Sequence, residues 1–155
     1  MANTFTQIHL QVIFAVKFRH AMINSEWEKR LFEYIIAIMQ NHKHKVLAIN
    51  GMPDHIHILI GFRPDQSLSE LVQKTKSSTS KWINEEKLTK EKFAWQEGFG
   101  AFSYTKSHLK AVINYIENQK IHHSSINFKE EYLKILKDLE IDFDEKYLFK
   151  EPQDY

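Results

Sequence analysis

His55-Ile56-His57 is the segment whose residue types and spacing most directly permit chemistry. On a strand, positions i and i+2 point to the same side about 6.5 to 7 Å apart, so two imidazoles converge on one metal ion while Ile56, Ile58 and Ile60 face a core. Spacing alone does not single out this pair. His42-Lys43-His44 repeats it between lysines at an expected helix end, where histidines commonly meet the last carbonyls. Context separates the two, because His55 and His57 begin a regular apolar run directly after the turn signal Gly51-Met52-Pro53-Asp54. Two ligands hold a cation weakly, so a third is expected from another element. Tyr115 and Gln119 stand four apart on an expected helix. With His108 they flank the core-facing stripe Leu109, Val112, Ile113 and Ile116. Gln119 can offer a carboxamide oxygen to an oxygen-preferring divalent cation, and Tyr115 a nucleophilic phenol. The plainer reading, a half-buried aromatic beside a surface helix former, stays open at this point.

The elements that must position these residues follow from periodicity. Ile8 to Lys17 alternates, with Ile8, Leu10, Val12, Phe14 and Val16 on one side, which predicts a strand. Asn24 or Ser25 is the expected cap of a helix running to about Asn41. Val46–Asn50 and Ile56–Ile60 read as two strands joined by the turn at Pro53. A helix beginning at Ser67 places Leu68, Leu71, Val72, Thr75, Thr79, Trp82 and Ile83 on one side and Lys74, Ser77, Ser78 and Lys81 opposite. A short strand is expected near Phe102–Tyr104, a helix from about Lys106 to Lys120, and an acidic amphipathic helix over Phe128–Leu139. This order predicts an α+β fold: a ferredoxin-like or RRM-like antiparallel sheet with helices packed on one face, a C-terminal acidic helix, and the other face free for a ligand.

Composition narrows the chemistry. The 155 residues are 43% hydrophobic and 26% charged, with four Gly and three Pro, which fits one compact domain and excludes a disordered or collagen-like chain. The absence of cysteine excludes disulfides, thiolate zinc sites and a cysteine nucleophile. No apolar run approaches the roughly 18 residues of a membrane span, and no basic segment precedes an apolar leader, so a soluble cytoplasmic protein without membrane partners is expected. The formal net charge of +1 conceals an asymmetry. Residues 1 to 127 carry 16 Lys and Arg against 11 Asp and Glu, and residues 128 to 155 carry 5 against 9, hence +5 and −4. A basic body with an acidic end is compatible with a polyanion ligand.

Four blocks, in order along most of the chain, resemble the single-tyrosine HUH transposases of IS-two-hundred-like insertion sequences, including their repeat-associated relatives. They are His9-Leu10 through Lys17-Phe18-Arg19, Met52-Pro53-Asp54-His55-Ile56-His57, Trp95-Gln96 through Phe102-Ser103, and Tyr115-Ile116-Glu117-Asn118-Gln119. The resemblance implies a catalytic domain over residues 1–127, with 128–155 a helix and tail of the same domain. It implies that His55, His57 and Gln119 bind Mg²⁺ or Mn²⁺ and that Tyr115 attacks a single-stranded DNA phosphodiester, leaving a 5′-phosphotyrosine and a free 3′-OH. It further implies a homodimer, in which the tyrosine helix completes its own or the partner's metal site, and a hairpin-containing single-stranded DNA partner. Lys17, Arg19, Lys74, Ser77 and Lys81 are then the expected DNA-backbone contacts and Trp95 a base-stacking residue. His122-His123 and the acidic helix depart from the shortest family pattern. A histidine-triad hydrolase is disfavoured because Leu59 stands where its third histidine belongs. A non-catalytic ferredoxin-like nucleic-acid-binding module and a metal-dependent hydrolase on the same scaffold are the remaining alternatives.

Overall fold

The computed structural model describes residues 4–154. Strand β1 (His9–Ala15) lies antiparallel to β3 (His55–Gly61), with Ile13 opposite His57 and Ala15 opposite His55. β2 (Lys45–Met52) pairs with the other edge of β3, and β4 (Gly100–Ser103) with β1, so the antiparallel order is β2-β3-β1-β4. The period of two then sorts the side chains: Val12, Phe14, Ile56, Ile58 and Ile60 face one layer, and Gln11, Ile13, Ala15, His55, His57 and Leu59 the other. At the β2–β3 turn a Cβ on Gly51 would lie 2.3 Å from the His55 carbonyl oxygen, so only glycine allows the close approach that seats His55.

Two helices cover the first face. α1 (Glu28–Asn41) buries Leu31, Ile35 and Met39, and α2 (Leu68–Glu85) buries Leu71, Val72 and Ile83, all against the apolar side of β1 and β3. The Ser67 hydroxyl caps α2 by accepting from the Glu70 amide at 3.0 Å. α1 begins at Glu28 rather than directly after Asn24. Asn24 instead closes a turn, its side-chain oxygen accepting from the Glu26 amide at 2.8 Å.

The α+β class is as expected, but the second sheet face is not free. Ile13, Ala15, Ala48 and Leu59 make it apolar there, and apolar surface of that extent needs cover. α3 (Leu109–Glu117) packs Val112 and Ile116 over Ala48 and Leu59. After α4 (Gln119–His122), α5 (Phe128–Asp138) packs Phe128, Tyr132 and Leu136 over Ile13, Ala15 and Phe102. Gly100 makes this docking possible, since a Cβ there would come within 2.5 Å of the Tyr132 hydroxyl.

The single helix expected over 106–120 is divided: a 3-10 turn spans Lys106–His108, and Asn118 separates α3 from α4. Partners on β2 stabilise the break. The Glu117 carbonyl accepts from Asn50 Nδ2 at 3.0 Å, and Lys120 Nζ reaches the Gly51 carbonyl at 2.7 Å and a Glu28 carboxylate oxygen at 2.9 Å. The C-terminal residues return beside the end of β1, where Gln153 and the backbone of Lys17 and Arg19 exchange hydrogen bonds of 2.8 Å. Among the described residues no helix is long and apolar enough to cross a membrane.

Candidate active site

His55 and His57 project from β3 into the layer between the sheet and α3–α5, where both are fully buried. Each has its outer nitrogen fixed by an acceptor. His55 Nδ1 donates to Asp54 Oδ1 at 2.7 Å, and His57 Nδ1 to Gln11 Oε1, also at 2.7 Å. That leaves both Nε2 atoms directed inward, the arrangement that orients metal-binding histidines. His55 also stacks on Phe128 of α5 at 4.0 Å between ring centroids.

The inward nitrogens converge on Glu131. Its Oε1 lies 3.3 Å from His55 Nε2 and 3.0 Å from each of His57 Nε2 and His123 Nε2. Its Oε2 accepts from Gln119 Nε2 at 2.8 Å and from the Tyr115 hydroxyl. Gln119 Oε1 is 3.1 Å from His55 Nε2. The break at Asn118 does not separate Tyr115 from Gln119; both side chains reach the same carboxylate. His122 stacks on the Tyr115 ring at 4.5 Å and holds its orientation. A cavity of about 720 Å³, lined by Gln11, Tyr104, His108, Tyr115, His122 and Glu131, opens beside the phenol.

Burial and partners set the charges. Burial pulls His57 down to about 4, outweighing the attraction of Glu131. Burial also opposes charge on His55, but the Asp54 and Glu131 carboxylates more than offset it and raise its pKa. Burial alone would raise Glu131; its close contacts with His123, His55 and His57, which favour its charged form, hold it far below the ordinary carboxylate range. Tyr115 is raised well above the usual phenol value, first by burial and then by the Glu131 carboxylate. At neutral pH the phenol therefore carries its proton, and Glu131 is ionised.

His55, His57 and Glu131 can supply two nitrogens and one oxygen to a cation, their ligand atoms all lying within 4.8 Å of one another. Imidazole and carboxylate donors with further positions open suit a divalent first-row ion, and the outer hydrogen bonds that His55 and His57 donate to Asp54 and Gln11 supply the usual second layer. The donor set thus fits the divalent metal that the sequence resemblance implies.

Of the residues singled out from sequence, one chain brings together His55, His57, Tyr115 and Gln119. It does not bring the expected DNA contacts to that point. Lys74, Ser77 and Lys81 lie exposed on α2, across the sheet from Tyr115, and Lys81 pairs loosely with Glu85 at 3.9 Å. Lys17 sits over the Phe18 ring, and Arg19 donates to the Pro152 carbonyl at 2.8 Å and pairs with Asp154. The base-stacking expectation for Trp95 is corrected: the indole is 9% exposed, packs edge-on against Phe14 and Phe93, and donates to Thr79 Oγ1 at 2.9 Å. Its ring is core. His44 is also structural. Its Nδ1 accepts from the Arg63 amide and its Nε2 donates to Gln66 Oε1, tying the end of α1 to the segment after β3.

Sequence reasoning missed Glu131, Gln11 and His123. For Glu131 a signal existed: Phe128, Tyr132, Ile135 and Leu136 form an apolar stripe at helical spacing, and Glu131 is the ionisable residue on that same stripe. Nothing in the pattern of β1 distinguished Gln11 from any polar strand residue.

The family described as "Transposase IS200 like" matches residues 4–119. The chain belongs to this family of IS200-like transposases. It is 24% identical over 119 residues to the ISDra2 transposase TnpA of Deinococcus radiodurans, a match covering 73% of this chain and 84% of that protein. Its fold resembles a Deinococcus radiodurans R1 protein described as a transposase, with a TM-score of 0.60, 20% identity, and coverage of 76% of this chain and 94% of that one. It also resembles a REP-associated tyrosine transposase bound to a REP hairpin, with a TM-score of 0.61, 13% identity, and coverage of 80% and 73%.

Proposed function

We propose that this protein cleaves and rejoins single-stranded DNA by transesterification at Tyr115, using Mg²⁺ or Mn²⁺ bound by His55 and His57 with the Gln119 carboxamide as a further ligand. The observation that carries this reading is the meeting, within one chain, of a phenol, a carboxamide and two inward-facing imidazole nitrogens beside an open cavity. A binding module has no use for that combination.

The Tyr115 oxygen forms a bond to phosphorus as the P–O3′ bond breaks. Overall, the phenolic proton is transferred to the departing 3′ oxygen, which ends as a hydroxyl. The 5′-phosphotyrosine conserves the phosphodiester energy, so attack by another 3′-OH rejoins DNA without a nucleotide cofactor. A divalent ion held by His55, His57 and Gln119 would supply Lewis acidity to offset charge on the phosphate oxygens. Asp54 and Gln11 hold the two imidazoles in the ligand tautomer, and His122 keeps the Tyr115 ring facing the cavity. Two imidazole donors favour Mn²⁺ over Mg²⁺, which prefers oxygen.

Lys74, Ser77 and Lys81 are proposed to contact phosphates distant from the scissile bond, and Lys17 and Arg19 those at the end of β1. A homodimer is the proposed assembly for a two-ended reaction, and the docking of α3 and α4 onto β2 of their own chain supports Tyr115 acting beside its own His55 and His57. The hairpin bound by the REP-associated relative guides the choice of probe. Incubation with Mn²⁺ and labelled hairpin-containing single-stranded DNA is expected to give a covalent adduct on a denaturing gel, absent in Tyr115→Phe. An adduct surviving in Tyr115→Phe overturns the assigned nucleophile, and cleavage without adduct favours the hydrolase. Light scattering tests the dimer.

A further inference from the structure

Glu131 lies beyond residues 4–119, the segment that matches the family, yet it is 1% exposed and sits at the centre of the site. The hydrogen positions around it are constrained. His55 Nδ1 faces the Asp54 carboxylate, His57 Nδ1 the Gln11 amide oxygen and His123 Nδ1 the Ile126 carbonyl at 2.9 Å. All three are acceptors, so each Nδ1 carries a hydrogen. Neutral rings in that tautomer aim bare Nε2 lone pairs at the same oxygen, Glu131 Oε1, from 3.0 to 3.3 Å. Lone pairs packed this closely repel unless positive charge lies among them, supplied by protons or by a metal ion.

The other carboxylate oxygen is differently engaged. Oε2 takes the Tyr115 hydroxyl and the Gln119 amide, both donors. One oxygen thus faces the metal-ligand nitrogens and the other the nucleophile. Helix α5 supplies the rigidity: Asn127 caps it by accepting from the Glu130 amide at 2.9 Å, and Phe128 and Tyr132 on either side of Glu131 are locked into the sheet.

We propose that Glu131 is a ligand to the divalent cation, sharing it with His55 and His57 through Oε1 while Oε2 positions the Tyr115 hydroxyl. The proposal rests on the metal-dependent reading of the site given above. It makes α5 part of the catalytic centre and moves the end of the functional unit past residue 127.

The test is Mn²⁺ binding to the full chain without DNA, followed by calorimetry. Glu131→Gln is expected to weaken Mn²⁺ binding by at least about tenfold, while Glu130→Gln, an exposed neighbour, leaves it unchanged. Equal or tighter binding by folded Glu131→Gln overturns the proposal and identifies the carboxylate as a plug in the cation's place. A second measurement does not depend on any variant folding. In wild-type protein labelled with ¹³C-carboxyl glutamate and loaded with Mn²⁺, electron-nuclear double resonance is expected to show the coupling of a directly bound carboxylate; its absence overturns the ligand role. The DNA adduct assay separates this proposal from the reading beneath it. A wild-type adduct together with undiminished Mn²⁺ affinity in Glu131→Gln sinks only the ligand role. A bound glutamate carboxylate with no adduct from any hairpin sinks the transposase chemistry and leaves the ligand in place.

Discussion

Burial holds His57 near 4, so across neutral pH its Nε2 presents a lone pair without first having to lose a proton. That readiness depends on the outer nitrogen being held, and Asp54 does the same for His55. Asp54→Ala is therefore expected to weaken Mn²⁺ binding by about 10- to 100-fold with the fold intact, measured by calorimetry and circular dichroism. Lys76 offers a pH test away from the site. Its ammonium donates to the Gln96 and Gly98 carbonyls, but burial pulls it from 10.5 to about 8. Between those two values the unfolded chain binds more protons at this position than the folded one, so stability contributed here rises with pH across the window and is flat below it. Urea denaturation of wild type and Lys76→Met is expected to show wild type gaining on the variant from about pH 8 upward. A gain on acidification instead contradicts the assignment. His55 and His57 stood out as candidates at this scale from residue type and strand spacing, while Tyr115 and Gln119 gained their roles only through the family resemblance.

The placement of whole elements depends on contacts that no local pattern contains. Helical spacing runs unbroken through 106–120, and only the approach of Asn50 and Gly51 from β2 shows why the chain breaks at Asn118. Removing the tie with Asn50→Ala leaves the Glu117 carbonyl to water and is expected to cost about 1 kcal/mol in urea denaturation. The docking of α5 turns on Gly100. Gly100→Ala places a methyl where the Tyr132 hydroxyl lies, so a loss of about 1–3 kcal/mol is expected, with weaker Mn²⁺ binding if the shift carries Glu131 away. The free sheet face expected from the sequence fails for a related reason. Alternation shows that Ile13, Ala15 and Leu59 are apolar and share a side, but it does not say which distant helices will come to cover them.

For the molecule as a whole, the proposed metal binding would be linked to folding. At a Mn²⁺ concentration about 100 times its dissociation constant, the native state is expected to gain about 2.7 kcal/mol, a rise of roughly 5–10 °C in Tm. Chelation should reverse it and His57→Ala should abolish it, as read by scanning calorimetry. The asymmetry of charge, +5 before residue 128 and −4 after it, bears on DNA. If Lys74 and Lys81 each contact a phosphate, replacing both with alanine reduces the salt slope of single-stranded DNA binding by about 1.4, while unchanged slopes return that face of α2 to solvent.

By itself the sequence determined the strand and helix periods, the sidedness of β1 and β3, the His55 and His57 pair and the Tyr115–Gln119 pair, because each is written in residue type and in spacing of a few positions. Only the tertiary structure decided that Trp95 is core, that α3–α5 close the second face, and that Glu131, 74 positions beyond His57, lies 3.0 Å from it. Those facts belong to packing between segments distant in the chain. There, the demand to cover apolar surface and to pair every buried polar group selects the partner, and no local pattern encodes that choice.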